Sequence, residues 1–202
     1  MDETNPGVTL CFPTVIQETM VDNHVELNRS LLEAIAKLRA TTPGTVPETW
    51  SCELYTTLKT NSKLHLIPEF APLVQHIQAN ADKMARYLRL KLGDRRLMLC
   101  ECWVNIYSAH HAQDIHNHSN RILSGVYYVK VPQGAPGLLI RSPYEDTMIQ
   151  VPVDESNVAN TLILEIPAVE GKMVFFRSFV KHSVQPNKVE GERVSIAFNL
   201  TA

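Results

Sequence analysis

The sequence is poor in the features that would mark a secreted, membrane-spanning or nucleic-acid-binding chain. Its 202 residues include four cysteines, Cys11, Cys52, Cys100 and Cys102. They form no Cys-x-x-Cys pair and no disulfide framework of the secreted type. No apolar run approaches the roughly 20 residues of a bilayer span, and the opening Met1-Asp2-Glu3-Thr4-Asn5-Pro6-Gly7 lacks the basic and apolar regions of a signal peptide. Lys and Arg are not in excess: the formal charge is −2, which gives no footprint for non-specific nucleic-acid binding. A glycine-rich phosphate loop, an aromatic-and-basic stripe, internal repeats and low-complexity segments are all missing. What remains is a cytoplasmic globular chain with reduced thiols, 45% hydrophobic and so able to bury a core. Its length fits a single domain, 1–202.

Two patterns divide the chain. Residues 23–39 carry Val25, Leu27, Leu31, Leu32, Ile35 and Leu38 at helical spacing, with Asn23 and Glu26 as an approximate capping box. Residues 68–92 predict a second helix. Pro68 sits in its first turn, Phe70, Leu73, Val74, Ile77, Ala81, Met84, Ala85, Leu88 and Leu92 form the apolar stripe, and Gly93 ends it. After Gly93 the period changes to two. Short apolar stretches recur at 97–107, 122–131, 137–141, 147–153, 160–166, 172–177, 180–185 and 192–200, most of them separated by Gly or Pro. Many short strands at this spacing predict an antiparallel sandwich or jelly roll. With no linker between the halves, residues 1–96 are expected to form a helical buttress packed on one sheet of a β core over 97–202.

Alternation within two strands separates their faces. In 192–200, Val194, Ile196, Phe198 and Leu200 oppose Arg193, Ser195, Ala197 and Asn199. In 99–107, Cys100, Cys102, Val104 and Ile106 oppose Glu101, Trp103, Asn105 and Tyr107. The polar faces suit either solvent or a polar cavity. The Cys100/Cys102 pair reads as two small apolar core residues more readily than as zinc ligands.

Four of the eight histidines lie within residues 110–118: His110, His111, His116 and His118. In an extended segment His116 and His118 point to one side, so both imidazoles can reach one metal. His182 is the only histidine downstream and completes a candidate triad. Eleven residues later comes Arg193, with Ser195 on the same strand face. A guanidinium in a cavity needs an anion, and Arg suits a carboxylate held bidentately. The plainer reading of Arg193 is a surface ion pair with Glu190 or Glu192.

Together these residues resemble the Fe(II)/2-oxoglutarate-dependent oxygenase superfamily. His116-x-His118…His182 matches its metal-ligand frame, and Arg193-Val194-Ser195 matches an Arg-x-Ser co-substrate clamp. Further segments resemble a bacterial and phage family of 2-oxoglutarate–Fe(II) oxygenases. They are Trp103-Val104-Asn105-Ile106-Tyr107, His116-Asn117-His118-Ser119-Asn120, Leu123 to Val129, His182-Ser183-Val184 and Arg193 to Asn199. The resemblance implies a double-stranded β-helix (a cupin-like jelly roll) behind N-terminal helices, and an Fe(II) held by His116, His118 and His182. It further implies 2-oxoglutarate gripped by Arg193 and Ser195. Asn105-x-Tyr107 is similar to a pair in alkylated-nucleic-acid repair dioxygenases, which makes both residues candidate co-substrate contacts. The implied reaction couples oxygen and 2-oxoglutarate to hydroxylation of a small or amino-acid-like substrate, releasing succinate and CO2.

The sequence departs from the superfamily at one ligand. His118 stands where most members carry a carboxylate, which gives a bound iron one negative charge less. Asp114, two residues before His116, is the alternative third ligand. Two other functions fit the residues: a three-histidine dioxygenase acting without 2-oxoglutarate, and a non-catalytic cupin-like metal-binding module. Loops 41–65 and 142–160 are expected to shape the substrate pocket, with His110, His111, Trp103, Arg141 and Arg177 as candidate lining residues.

Overall fold

The computed structural model describes residues 7–146, 149 and 151–202. Among the described residues, ten strands and two α-helices follow one another. They are β1 (Ile16–Met20), α1 (His24–Thr41), β2 (Tyr55–Thr56), α2 (Ala71–Tyr87), β3 (Met98–Tyr107), β4 (Gln113–His116), β5 (Leu123–Lys130), β6 (Leu138–Arg141), β7 (Ile163–Ile166), β8 (Lys172–Arg177), β9 (His182–Val184) and β10 (Arg193–Thr201). The strands make two antiparallel sheets. A larger sheet runs β1-β8-β5-β10-β3-β2 and a smaller one β4-β9-β6-β7.

Strand alternation sorts the core into two layers. One face of the larger sheet presents Cys102, Val104, Ile106, Tyr127, Phe175, Val194, Ile196 and Phe198 to the helices. There they meet Leu27, Leu31, Ala34 and Ile35 of α1 and Leu73, Ile77, Ala81 and Met84 of α2, spaced three and four apart. The other face carries Tyr107, Val126, Tyr128, Val174 and Phe176 toward Leu138, Ile140, Ile166 and Val184 of the smaller sheet. The expected helices thus pack on one sheet of a jelly roll, and the polar face of β10 turns into the space between the sheets. Cys102 lies wholly inside the helix-side layer, where burial pushes its thiol up to about 12, as a core residue and not a zinc ligand. All four cysteines are free.

Several local expectations are corrected. Asn23 takes a left-handed conformation (φ 55°) and its side chain makes no capping bond, so the capping box does not form; Glu26 pairs instead with Arg29 at 2.6 Å. Pro68 opens a short 3₁₀ turn, Pro68–Phe70, ahead of α2. The helix ends at Tyr87 and not at Gly93, because Arg89 is left-handed (φ 49°) and breaks the ladder. The side chains of Leu88, Leu90 and Leu92 still pack on the core, which explains why the apolar stripe outruns the helix. The N-terminal half is not wholly helical: β1 and β2 form both edges of the larger sheet. A further strand, β4, arises in the histidine-rich stretch. In 147–153, residues 149 and 151–153 are not in a strand, and the remainder lies outside the described residues. Among the described residues no helix is long and apolar enough to cross a membrane.

Candidate metal centre and anion pocket

The register of the smaller sheet brings the histidines together. His116 ends β4 and His182 opens β9, and the two are cross-strand partners. An irregularity between Gln113 and His116 re-aims the end of β4. Two residues on, His118 is tied to the β8–β9 connection by its backbone N–H, which donates to the Ser178 carbonyl at 2.9 Å. The ligand atoms of His116, His118 and His182 all lie within 4.8 Å of one another. Ring centroids are 4.2 Å apart for His116 and His182, 5.1 Å for His118 and His182, and 5.2 Å for His116 and His118.

Two of the rings are oriented by backbone carbonyls. The Nδ1 atoms of His116 and His182 lie 2.8 Å from the Asp114 carbonyl and 2.9 Å from the Val180 carbonyl. A carbonyl only accepts, so each Nδ1 carries the proton and each Nε2 keeps its lone pair free. His118 Nδ1 lies 3.5 Å from the Asn199 amide nitrogen. Burial lowers the pKa of all three imidazoles. It does so for His116 against the Asp114 carbonyl, for His118 down to about 4 with help from neighbouring His116, and for His182 well below the usual value with help from both neighbours. At neutral pH the cluster is uncharged, the state in which imidazole ligates.

A second cluster lies on the inner face of the larger sheet. Arg193 is cross-strand partner of Tyr107, and Ser195 is partner of both Asn105 and Tyr128. Arg193 is 1% exposed. Its guanidinium sits 4.7 Å from the Tyr107 ring centroid and 5.0 Å from that of Tyr128. Its Nε and Nη1 are buried without a hydrogen-bond partner, and so are Asn105 Oδ1 and the Tyr128 hydroxyl. The surface ion pair is not formed: Glu192 bonds Arg39 at 2.8 Å instead. Stacking on two tyrosines attracts a guanidinium but leaves its Nε and Nη1 donors unmet. A buried cation with two unmet donors beside an unpartnered hydroxyl has the chemistry to take a carboxylate.

The remaining candidates fall elsewhere. The Asp114 carboxylate accepts the Ser51 N–H at 2.8 Å and does not join the histidine cluster; only the Asp114 carbonyl serves His116. His110 is exposed with φ 69°, and His111 Nδ1 accepts the Ser108 N–H at 3.3 Å. Arg141 pairs with Glu145. Arg177 stacks on Phe179, and strand alternation puts it on the helix side of β8. Trp103 is beside the cluster, its ring 5.9 Å from His118, with its indole N–H unpartnered.

Three neighbours were not singled out in the sequence. Tyr128 could have been found by extending the two-residue alternation along β5, which puts it on the same face as Arg193. Trp50, from loop 41–65, has its ring 6.1 Å from His116, and no periodicity marks it. Glu101, seen only as a face residue, bonds Asn199 at 2.8 Å and Arg121 at 3.0 Å behind His118. Three neutral imidazoles suit a divalent first-row metal, and the orphaned guanidinium suits a carboxylate, so the residues present fit a metal ion and an anionic co-ligand.

Comparison with known proteins agrees with this chemistry. Residues 101–199 match the family model described as "Putative 2OG-Fe(II) oxygenase". No curated protein matches the sequence. Among solved structures, a Pseudomonas putida prolyl-4-hydroxylase is similar with a TM-score of 0.61 at 16% identity, covering 93% of this chain and 92% of that one. The α-ketoglutarate-dependent epimerase SnoN of nogalamycin biosynthesis gives 0.68 at 13% identity, covering 93% and 76%. HygX of Streptomyces hygroscopicus, solved with nickel, 2-oxoglutarate and hygromycin B, gives 0.61 at 12% identity, covering 93% and 82%. At these identities the likeness establishes the fold, a double-stranded β-helix.

Proposed function

We propose that this chain, whose residues 101–199 match the 2-oxoglutarate–Fe(II) oxygenase family model, holds one Fe(II) through His116, His118 and His182 and grips 2-oxoglutarate with Arg193, Ser195, Asn105 and Tyr107. The observation that carries this reading is Arg193, a buried guanidinium without an anion on the sheet that faces three neutral imidazoles. Tyr128 joins the grip, since its hydroxyl is unpartnered and its ring lies under the same guanidinium.

When bound, the iron and 2-oxoglutarate would supply the oxidising power, one O2 and 2-oxoglutarate giving succinate and CO2 and leaving the second oxidising equivalent for the substrate. The protein's own part is placement. The Asp114 and Val180 carbonyls fix the tautomers of His116 and His182. Arg193 would hold the distal carboxylate, and Ser195 and Asn105 form the neighbouring cross-strand pair. Val126, Tyr128, Val174 and Phe176 keep water from the space between the sheets.

We read the substrate as a small or amino-acid-like molecule. The printed names of similar structures include a hydroxylase and an epimerase, so the outcome on the substrate is a separate question from the use of 2-oxoglutarate. The reading places the protein in the cytoplasm, where its four thiols stay reduced. The test is succinate released from 2-oxoglutarate with Fe(II) and O2, uncoupled or with candidate substrates. Succinate from the native protein and none from Arg193→Ala is expected. An iron-loaded protein that neither binds nor turns over 2-oxoglutarate would overturn the reading and favour a three-histidine dioxygenase whose Arg193 grips the substrate itself.

A further inference from the structure

We propose that the indole N–H of Trp103 donates to the metal-side carboxylate of 2-oxoglutarate, an inference that rests on the co-substrate reading. The inward faces of β3 and β10 pair rung by rung: Tyr107 with Arg193, Asn105 with Ser195, and Trp103 with Ala197. The Arg193 rung, with its two unmet donors, marks one end of a bound dicarboxylate. The Trp103 rung lies at the metal end, because the Trp103 ring is 5.9 Å from that of His118. Four residues of strand, about 13 Å, separate the two rungs. Trp103 is 3% exposed, and its Nε1 is buried without a hydrogen-bond partner. An indole nitrogen only donates, so an acceptor is what this atom lacks.

Open space adjoins that rung. β10 is buried throughout except at Ala197 and at its last residue, Thr201. It has a strand on either side, so solvent reaches Ala197 only across a face of the sheet. That face is the inward one, shared with Arg193 and Ser195, since Val194, Ile196 and Phe198 fill the other against the helices. The next inward residue along β3, Glu101, already spends Oε2 on Asn199 and Arg121. A buried N–H without a partner is a standing cost, which an acceptor on a bound ligand removes. 2-Oxoglutarate carries only acceptors, and the unmet atoms at the two ends of this face are donors. Asn105 Oδ1, on the rung between them, is an unmet acceptor and takes no part in the contact. Arg193 alone selects for one carboxylate. With Trp103 at the metal end, the cavity selects for an acid that carries a carboxylate at each end.

The chain holds two tryptophans, Trp50 and Trp103, so its proton–nitrogen correlation spectrum carries two indole N–H resonances. The one missing from Trp103→Phe belongs to Trp103. Trp50→Phe gives the same assignment by elimination, so the test does not depend on how well Trp103→Phe folds. The native protein is loaded with Zn(II), which has no redox chemistry, and titrated with 2-oxoglutarate while calorimetry follows binding. The Trp103 resonance is expected to move downfield, and its exchange with water to slow, as 2-oxoglutarate binds. It is expected to do neither with succinic semialdehyde, which keeps the distal carboxylate and lacks the metal-side one. Trp103→Phe is expected to bind 2-oxoglutarate about 10–100-fold more weakly, the worth of a hydrogen bond to a charged group. Binding of 2-oxoglutarate with the Trp103 resonance unmoved, or equal movement with both ligands, overturns the inference and leaves the co-substrate reading standing. No binding of 2-oxoglutarate to the zinc-loaded protein overturns that reading, and the inference with it.

Discussion

His116 and His182 face each other as cross-strand partners in the β4–β9 ladder, their ring centroids 4.2 Å apart and their Nδ1 atoms each committed to a backbone carbonyl. Two imidazoles 66 residues apart are thereby aimed by main-chain geometry alone. His118 is the different one: its ring leans on side chains, and its position on the backbone bond to Ser178.

This arrangement sets the expected cost of removing each ligand. Alanine at His116, His118 or His182 is expected to cut bound Fe(II) severely, and Asp114→Ala to leave it nearly full. Asp114 serves His116 through its carbonyl, which the substitution keeps. Iron per chain after anaerobic loading and desalting is the measurement. Full stoichiometry in His118→Ala together with loss in Asp114→Ala would transfer the third ligand to Asp114.

Arg193 gives a test with two readouts. Arg193→Ala is expected to weaken 2-oxoglutarate binding by about 2–5 kcal/mol, the cost of removing one partner of a buried charge pair. Arg193→Lys should recover part of it, because the ammonium lacks the planar fork. Arg193→Met, which keeps the bulk and removes an unpaired charge, should leave the metal-free protein as stable as the native or more so, while binding no 2-oxoglutarate. Titration calorimetry and thermal melting together check this. A destabilised Arg193→Met with unchanged 2-oxoglutarate affinity would mean that the guanidinium serves the fold.

The acid behaviour follows from the depressed imidazole pKa values. Each histidine of the cluster is held neutral in the fold and titrates near 6.5 when unfolded, so the unfolded chain takes up protons first. Their contribution to stability is complete above about pH 6.5 and is lost as pH falls toward the folded values, about 4 for His118. Metal release by protons is expected in that lower range and not at 6.5, because the metal-free cluster is already neutral there. Co(II) bound at fixed concentration, followed from pH 7 to 4, shows whether the midpoint falls below 6.

The sequence exposes those parts of this architecture that depend on periodicity. Both helices, most β-strands and the two faces of β3 and β10 follow from steps of 3.6 and 2, because burial of one face dictates residue type there. The ends of α2 are not legible, since Leu88, Leu90 and Leu92 pack on the core without being helical. Nor is β1, whose pairing with β8 is a long-range event that its own alternation does not announce. At the candidate site, the histidines and Arg193 stand out by residue type and spacing. Trp50 does not, because a loop of no period carries it to His116, and Glu101 counts only once Asn199 and Arg121 converge on it.

Tyr128 offers the sharpest separation of binding from folding. Its hydroxyl is buried without a partner, and its ring packs among Val126, Val174 and Phe176. Burial raises the pKa of the phenol, so it stays protonated and able to donate. In the absence of a ligand that hydroxyl is a net cost, since a buried polar group without a hydrogen bond loses its water and gains nothing. Tyr128→Phe removes the oxygen and keeps the ring, along with its stacking on Arg193. The metal-free variant is therefore expected to melt at the native temperature or above it. If the hydroxyl is reserved for the distal carboxylate of 2-oxoglutarate, the same variant should bind 2-oxoglutarate about 1.5–3 kcal/mol more weakly, the worth of a hydrogen bond to a charged group. Melting curves recorded with and without saturating 2-oxoglutarate measure both effects in one instrument. Loss of the 2-oxoglutarate-induced shift at unchanged metal-free stability supports the assignment. A lower metal-free melting temperature with an intact shift would make Tyr128 a packing residue.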